Sequence, residues 1–315
     1  MIFHYLKIAF RNLCKHKTQN IISIIGLAVG LLCFCVCIYC SRFVESTDHC
    51  FANHDRIAEL NLYDGKADRY FSGSPVPLAE ELRTWALGET EAISSVTYPR
   101  ERPYYVELSP EKTLPYELET IEIDTCYNKI FTPEMVAGHW KMASQSLNSV
   151  ILSQSMAIKI FGNAESAIGK HMTLMRRLNT SPESTPKTGG IVYIIQAVMK
   201  DIPLNNSLDF MQNIDMLTVN DSEGLLQSPK RHNMTGANTY VLLSPQTTCT
   251  DLEKQFSKRD YTYTLYDEAY TVTASNMGSR LKKQGASYLE LVTGTVGTLI
   301  LLCLLYTSDA ADEGL

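Results

Sequence analysis

"IISIIGLAVGLLCFCVCIYC", residues Ile21 to Cys40, decides how the rest of the chain is read. The stretch carries no charge, and Ser23 is its only hydroxyl before the closing tyrosine. A helix of this length crosses a hydrocarbon core about 30 Å thick. The run is longer than the apolar part of a typical secretory leader. No small-x-small cleavage site follows it, because Ile38 and Cys40 would have to serve. Leu32, Phe34, Val36 and Tyr39 precede the four clustered cysteines, and none of them is the small residue a lipoprotein site needs. The segment therefore reads as a retained transmembrane helix over residues 20–41.

Its flanks set the orientation. Lys7, Arg11, Lys15 and Lys17 precede the span, whereas Arg42 is set against Glu45 and Asp48 after it, so the N-terminus belongs in the cytoplasm. Arg280, Lys282 and Lys283 pull the other way, but they follow a connection far longer than about 60 residues, which translocates largely regardless of charge. Residues 1–19 read as a cytoplasmic, interfacial amphipathic segment. Ile2, Phe3, Leu6, Phe10 and Leu13 share one side of a helical wheel, and Lys7, Arg11 and Lys15 form a row on another. That pattern fits an elbow helix beside a cytoplasmic partner and equally a basic flank that happens to be amphipathic. Within the span, Gly26 and Gly30 have the small-x-x-x-small spacing that lets two helix backbones approach closely.

Composition narrows the remainder. The chain has 315 residues and a formal net charge of -6, with a pI near 5.7. That balance provides no basic stripe for nucleic acid, so no such partner is expected. Cys33, Cys35, Cys37 and Cys40 crowd into the apolar run without metal or redox spacing. Only Cys50, Cys126 and Cys249 lie in the long polar middle, where at most one bridge could form.

The middle, residues 42–287, reads as a mixed α+β extracytoplasmic domain of two lobes. Strand-like stretches are "RIAELNLY", "PYYVELS", "ETIEID", "GIVYIIQAVM", "TYVLLS" and "YTYTLY". Helices are expected in "SPVPLAEELRTWA", with Leu78, Leu82 and Trp85 facing a core, and in "SQSMAIKIFGN", capped by Ser153 and stopped at Gly162. A third is expected in "TDLEKQFSKR", with Leu252 and Phe256 one turn apart. "RRLNTSPESTPKTGG" is polar and Pro/Gly-rich, as a loop would be.

Several apparent chemical motifs fail on spacing. Between Gly162 and Gly169 there are too many residues for a phosphate loop, and His171 follows Lys170 where a magnesium-holding hydroxyl belongs. Ser184 and Lys187 have acyl-enzyme spacing, but Pro182 and Pro186 deny them an ordered helix start. Asp48, His49, Cys50, His54 and Asp55 are the one dense group of metal-ligand types, and nothing elsewhere in the sequence completes a metal shell. His139 and His232 stand alone. No catalytic, cofactor-binding or metal-binding residue is assigned, and the chain is not expected to be an enzyme.

"FHYLKIAFRNLCKHKTQNIISIIGLAVGLLC" resembles the opening of MacB/FtsX-type permeases of ABC transporters, where a basic segment with "AxRNLxxxK" leads into a first span with "GLAxGL". The resemblance continues through "HDRIAEL", "SPVPLAEEL", "NSVILSQSMAIKIFGNAESAIGKHMTL", "VYIIQAVMKDIPLNNSLDF" and "NTYVLLSPQTTCTDLEKQF". In it, Gly162 and Gly169 are a helix stop and a turn. The resemblance implies a MacB-like periplasmic core domain between a first and a second span, in the bacterial inner membrane. It implies a separate cytoplasmic ABC ATPase subunit that performs the hydrolysis, a second permease copy, contact with membrane lipid, and a periplasmic or outer-membrane partner. Export of a drug, antimicrobial peptide or lipoprotein, or envelope mechanotransmission, would be the activity. The alternative architecture with the same spacing is the extracytoplasmic sensor module of a two-span signalling protein.

A closing apolar run starts at Leu291, and residues 288–302 read as the start of a second transmembrane helix. It is then interrupted by "CLLYTSDAADE", which resembles the translation of a sequencing-library adaptor, so residues 303–315 read as a non-native tail on a truncated fragment.

Overall fold

In the computed structural model the described residues are 17–285, apart from 72, 110–111, 175–189, 210, 223, 229–234 and 266, together with 4, 287, 293–295 and 297–298. The amphipathic pattern of the leader, the polar 176–190 stretch up to residue 189 with Ser184 and Lys187, His232 and the 303–315 tail lie outside them. Two compact units result. Residues 1–47 and 280–315 form one, and Asp48–Ser279 the other.

In the first unit the apolar run is helical from Lys17 to Glu45 (α1). The segment Ile24–Glu45 is long and apolar enough to cross a membrane, and only 12% of its most apolar window is buried. The helix outlasts the apolar stretch, running to Glu45 rather than to residue 41, because backbone hydrogen bonding continues after the side chains turn polar. Gly30 and Cys37 are buried, with Gly26 and Cys33 half-buried on the same face, while Ile24, Ile25, Val29, Leu32 and Phe34 are exposed. On this face small residues are covered, while large apolar ones are left outward. Helical backbone resumes at residues 279–285, earlier than residue 288. A Cβ on Gly285 would come within 2.7 Å of Val44 Cγ1, so this glycine lets the returning helix meet the end of α1.

The second unit begins with β1 (Ile57–Asp64), β2 (Arg69–Tyr70), β3 (Ser74–Pro75) and α2 (Leu78–Thr84). Next come β4 (Thr90–Thr97), β5 (Arg100–Ser109), β6 (Lys112–Ile123), α3 (Tyr127–Phe131), β7 (Met135–Gly138) and α4 (Trp140–Gln145). After these come β8 (Ser149–Ser153), α5 (Gln154–Phe161), β9 (His171–Leu174), β10 (Ile191–Met199) and β11 (Met216–Val219). The unit ends with β12 (Thr235–Leu243), α6 (Cys249–Lys258), β13 (Thr262–Leu265) and β14 (Glu268–Asn276).

Hydrogen bonding follows the path β11-β8-β10-β9-β5-β6, and β11 also pairs with β6 in parallel, so these strands close into a ring. Closure removes the free edges that would otherwise invite pairing with another chain. Tyr104, Val106, Leu118, Val150, Leu152 and Tyr193 meet in one core, completed by Met156, Ala157 and Ile160 of α5. The second part of the sheet, β4-β12-β1-β14-β13, is open and carries α2 and α6 over a core of Leu60, Leu62, Leu78, Leu82, Leu252 and Phe256. Val96↔Ile123 is the pair joining β4 to β6.

Local chemistry explains the helices. Ser153 Oγ accepts from Met156 N at 3.4 Å, and Gly162 takes φ 87 at the other end of α5. Thr248 and Asp251 form a reciprocal capping box on α6. Trp85 stacks edge-on against Tyr261 at 4.5 Å. The strands entering and leaving the unit are neighbours: β1 runs antiparallel to β14, with Ala58 opposite Asn276. Met277 N then donates to Ile57 O at 2.9 Å. Antiparallel pairing of the first and last long strands puts the two chain ends on one side.

Candidate functional site

Asp48, the first residue of the second unit, is 1% exposed and adopts a left-handed φ of 69. Asp and Asn tolerate that conformation better than most side chains. Its N–H donates to Asn205 O at 2.9 Å, and its Oδ1 accepts from Ser207 N at 2.7 Å. The carboxylate also faces the exit segment. Gly278 has φ +69, and a Cβ there would lie 2.2 Å from Asp48 Oδ2, so both the conformation and the space require glycine. One side chain therefore meets the incoming chain, the loop after β10 and the outgoing chain. The loop is itself fixed: Asn206 is fully buried, its Nδ2 donates to Pro203 O at 2.7 Å, and its Oδ1 accepts from Asp209 N at 3.0 Å. Beneath it Phe51, Leu208, Ile214 and Met277 share one core.

The group of metal-ligand types is drawn apart by this arrangement. Asp48 turns to the loop, the rings of His49 and His54 meet at 4.5 Å, and His54 Nε2 lies 3.2 Å from Asp55. Desolvation, followed by the Asp48 charge, pushes the Cys50 thiol up to about 11, leaving it neutral at physiological pH. Cys50, Cys126 and Cys249 are all free thiols. His139 is the N-cap residue of α4, beside Trp140, which stacks on Tyr127.

A second polar centre lies at the junction of the ring and the open sheet. Asp124 accepts from Ser94 Oγ at 2.7 Å, Ser95 N at 2.9 Å, Cys126 N at 2.9 Å and Arg83 Nη2. It shares a cleft of about 240 Å³ with Arg83, Ser95, Glu122, Asn220 and Asp221. Glu122 is 4% exposed and accepts from Leu225 N at 2.7 Å and Leu226 N at 2.8 Å. Gly224 rests on that carboxylate so closely that a Cβ would lie 2.2 Å from Oε1. Burial is the main reason the Glu122 carboxyl is raised to about 7; the two N–H donors oppose the shift and Asp221 adds to it. Asp221, 3.9 Å from Arg102, is raised by burial as well. The arrangement ties a loop to a strand through a buried acid.

No family model and no curated protein matches the chain. Among solved structures, a domain assigned to a permease protein of Porphyromonas gingivalis is similar at TM-score 0.52 and 20% identity, covering 72% of this chain and 93% of that one. The chain shares the fold of that domain. The periplasmic region of MacB from Actinobacillus actinomycetemcomitans aligns at 13% identity and TM-score 0.45, over 73% of this chain and 92% of its own. The extracellular domain of the ABC-type transporter YknZ from Gram-positive bacteria aligns at 13% and 0.38, over 70% and 100%.

Sequence reasoning missed Asp48 as a structural hub because its partners are far away; Ser207 is 159 positions along the chain. Glu122 sat inside a strand-like stretch that alternates in polarity, which identifies a strand and says nothing about its burial.

Proposed function

We propose that the chain is a permease subunit of a MacB/FtsX-type ABC transporter, whose extracytoplasmic unit is moved by a separate cytoplasmic ATPase. The observation that carries this reading is the juxtaposition of the unit's two ends, with β1 beside β14 and Asp48 against Gly278. A body whose entry and exit are joined through one buried carboxylate responds to displacement of either end as a whole, which is the requirement for transmitting a stroke. In this reading the ring and the open sheet are the two lobes and supply the stiffness. In this reading α1 spans the inner membrane with its basic side in the cytoplasm, the returning helix begins the second span, and two copies work with the ATPase. The cargo is a drug, peptide or lipoprotein, or the stroke is delivered to a periplasmic or outer-membrane partner. The test is to purify the complete permease with its ATPase and replace residues 48–279 by a short flexible linker. Altered ATP hydrolysis supports the coupling, and an unchanged rate contradicts it.

A further inference from the structure

The turn after β11 ties the ring to the open sheet. It leaves the ring at Asp221, beside which Ser222 N donates to Asn148 Oδ1 at 2.8 Å. It comes to rest where Leu225 and Leu226 pack with Val76, just after β3, and with Ala237 of β12. A Cβ on Gly236 would lie 2.6 Å from Leu225 Cδ2, so the turn sits close on that strand. Glu122 of β6 is the clasp. Its two carboxylate oxygens accept from Leu225 N and Leu226 N, and Gly224 lies against them. Gly224 N and Ser228 N are bonded within the turn, to Asp221 O at 3.1 Å and Leu225 O at 3.2 Å.

This clasp is an acid kept from water. When ionised it leaves a charge in a buried place, which costs free energy unless a cation meets it. The neighbouring cations are engaged elsewhere: Arg83 of α2 bonds Asp124, and Arg102 of β5 lies 3.9 Å from Asp221. Arg100 lies toward Gly236, its Nη2 3.4 Å from where a Cβ there would be. Glu80, Asp124 and Asp221 line the cleft with Glu122 and add only negative charge. The Tyr104 and Tyr193 phenols beside Asp221 are kept neutral by burial. Once the turn lifts, water reaches the carboxylate and nothing opposes its ionisation. We infer that residues 221–228 form a pH-operated latch between the ring and the open sheet, closed while Glu122 is protonated and released as Glu122 ionises. Burial, against the two N–H donors, holds the closed-state carboxyl at about 7, compared with 4.5 in water. The closed form is therefore fully favoured below about 4.5 and loses ground as pH rises through about 7. From pH 6 to pH 8 that amounts to a shift of about tenfold toward the open form.

The latch belongs to the 48–279 unit and does not depend on the permease reading, which ATP hydrolysis tests separately. The experiment is hydrogen exchange of the full chain in detergent at pH 6 and pH 8, read by mass spectrometry as protection factors with the faster intrinsic exchange at pH 8 divided out. Peptides covering 222–228 are expected to lose protection about tenfold at the higher pH, while Ser149–Ser153 of β8 keeps its own. In Glu122→Gln, whose side chain does not ionise, protection of the turn is expected to change less than about threefold, whatever its level. Glu223 is present in both chains and so creates no difference between them. Asp221→Asn gives a second reading should Glu122→Gln fail to fold: it removes a charge that raises Glu122, so the loss of protection is expected to centre at lower pH. A fall under about threefold in the unaltered chain, a like fall in Glu122→Gln, a centre that does not move in Asp221→Asn, or a parallel loss across Ser149–Ser153 overturns the latch.

Discussion

Replacing Asp48 by alanine removes three things at once, and each has a size. The charge-assisted bond from Ser207 N is worth about 1.5–3 kcal/mol, discounted here to about 1–2 because the bond is only partly buried. A left-handed φ of 69 costs alanine about 1 kcal/mol more than aspartate. The space against Gly278 becomes a small void. The sum is about 2–3 kcal/mol. Asp48→Asn keeps an acceptor for Ser207 N and suits the same backbone, so its cost is expected to stay near 1 kcal/mol. The protein's two tryptophans, Trp85 and Trp140, both lie in the Asp48–Ser279 unit, so intrinsic fluorescence during denaturant unfolding of the detergent-solubilised chain reports on that unit. Equal stability of Asp48→Ala and the unaltered chain, or an asparagine variant as weak as the alanine one, would refute the reasoning.

Glu122 gives a pH dependence. Its folded value of about 7 lies above the free value of 4.5, so its stabilising effect is complete below about 4.5 and is lost as pH rises through about 7. The difference corresponds to roughly 3 kcal/mol at most, so unfolding midpoints are expected to be higher at pH 5 than at pH 8, and Glu122→Gln should flatten most of that slope. Asp221, raised in the same direction, leaves a residual slope. Gly224→Ala places a Cβ on the Glu122 carboxylate and is expected to speed proteolysis between Asp221 and Ser228, measured by mass spectrometry of early fragments. Thr248→Ala removes the capping box of α6 and should cost about 1 kcal/mol in the same fluorescence assay.

Much of the architecture was legible in the residues. The six strand-like stretches all coincide with strands, and Ser153, Gly162 and the Leu252/Phe256 pair sit where their local chemistry requires. These features depend on neighbours within a few positions. Closure of the ring did not show, because it depends on the four-residue strand Met216–Val219 pairing with Thr120–Ile123 on one side and Ser149–Leu152 on the other. A strand that short carries too little alternation to read, and its partners lie far off in the chain. The same distance hid the two buried acids. Asp48 looked like one of several metal-type residues, and only the fold reveals that it turns to Ser207 and Gly278. Gly285 carried no signal at all until the Val44 side chain lay against it.

The claim that the chain leaves and returns at one place is tested most directly by a disulfide between Val44→Cys and Gly285→Cys. A Cβ at 285 would sit 3.5 Å from Val44 Cβ, within the range a disulfide spans. With the nine native cysteines replaced and a protease site inserted in the 176–190 stretch, the cleaved chain should run as one band without reductant and as two with it. Two bands under both conditions, from protein that still shows native tryptophan fluorescence, would contradict the account.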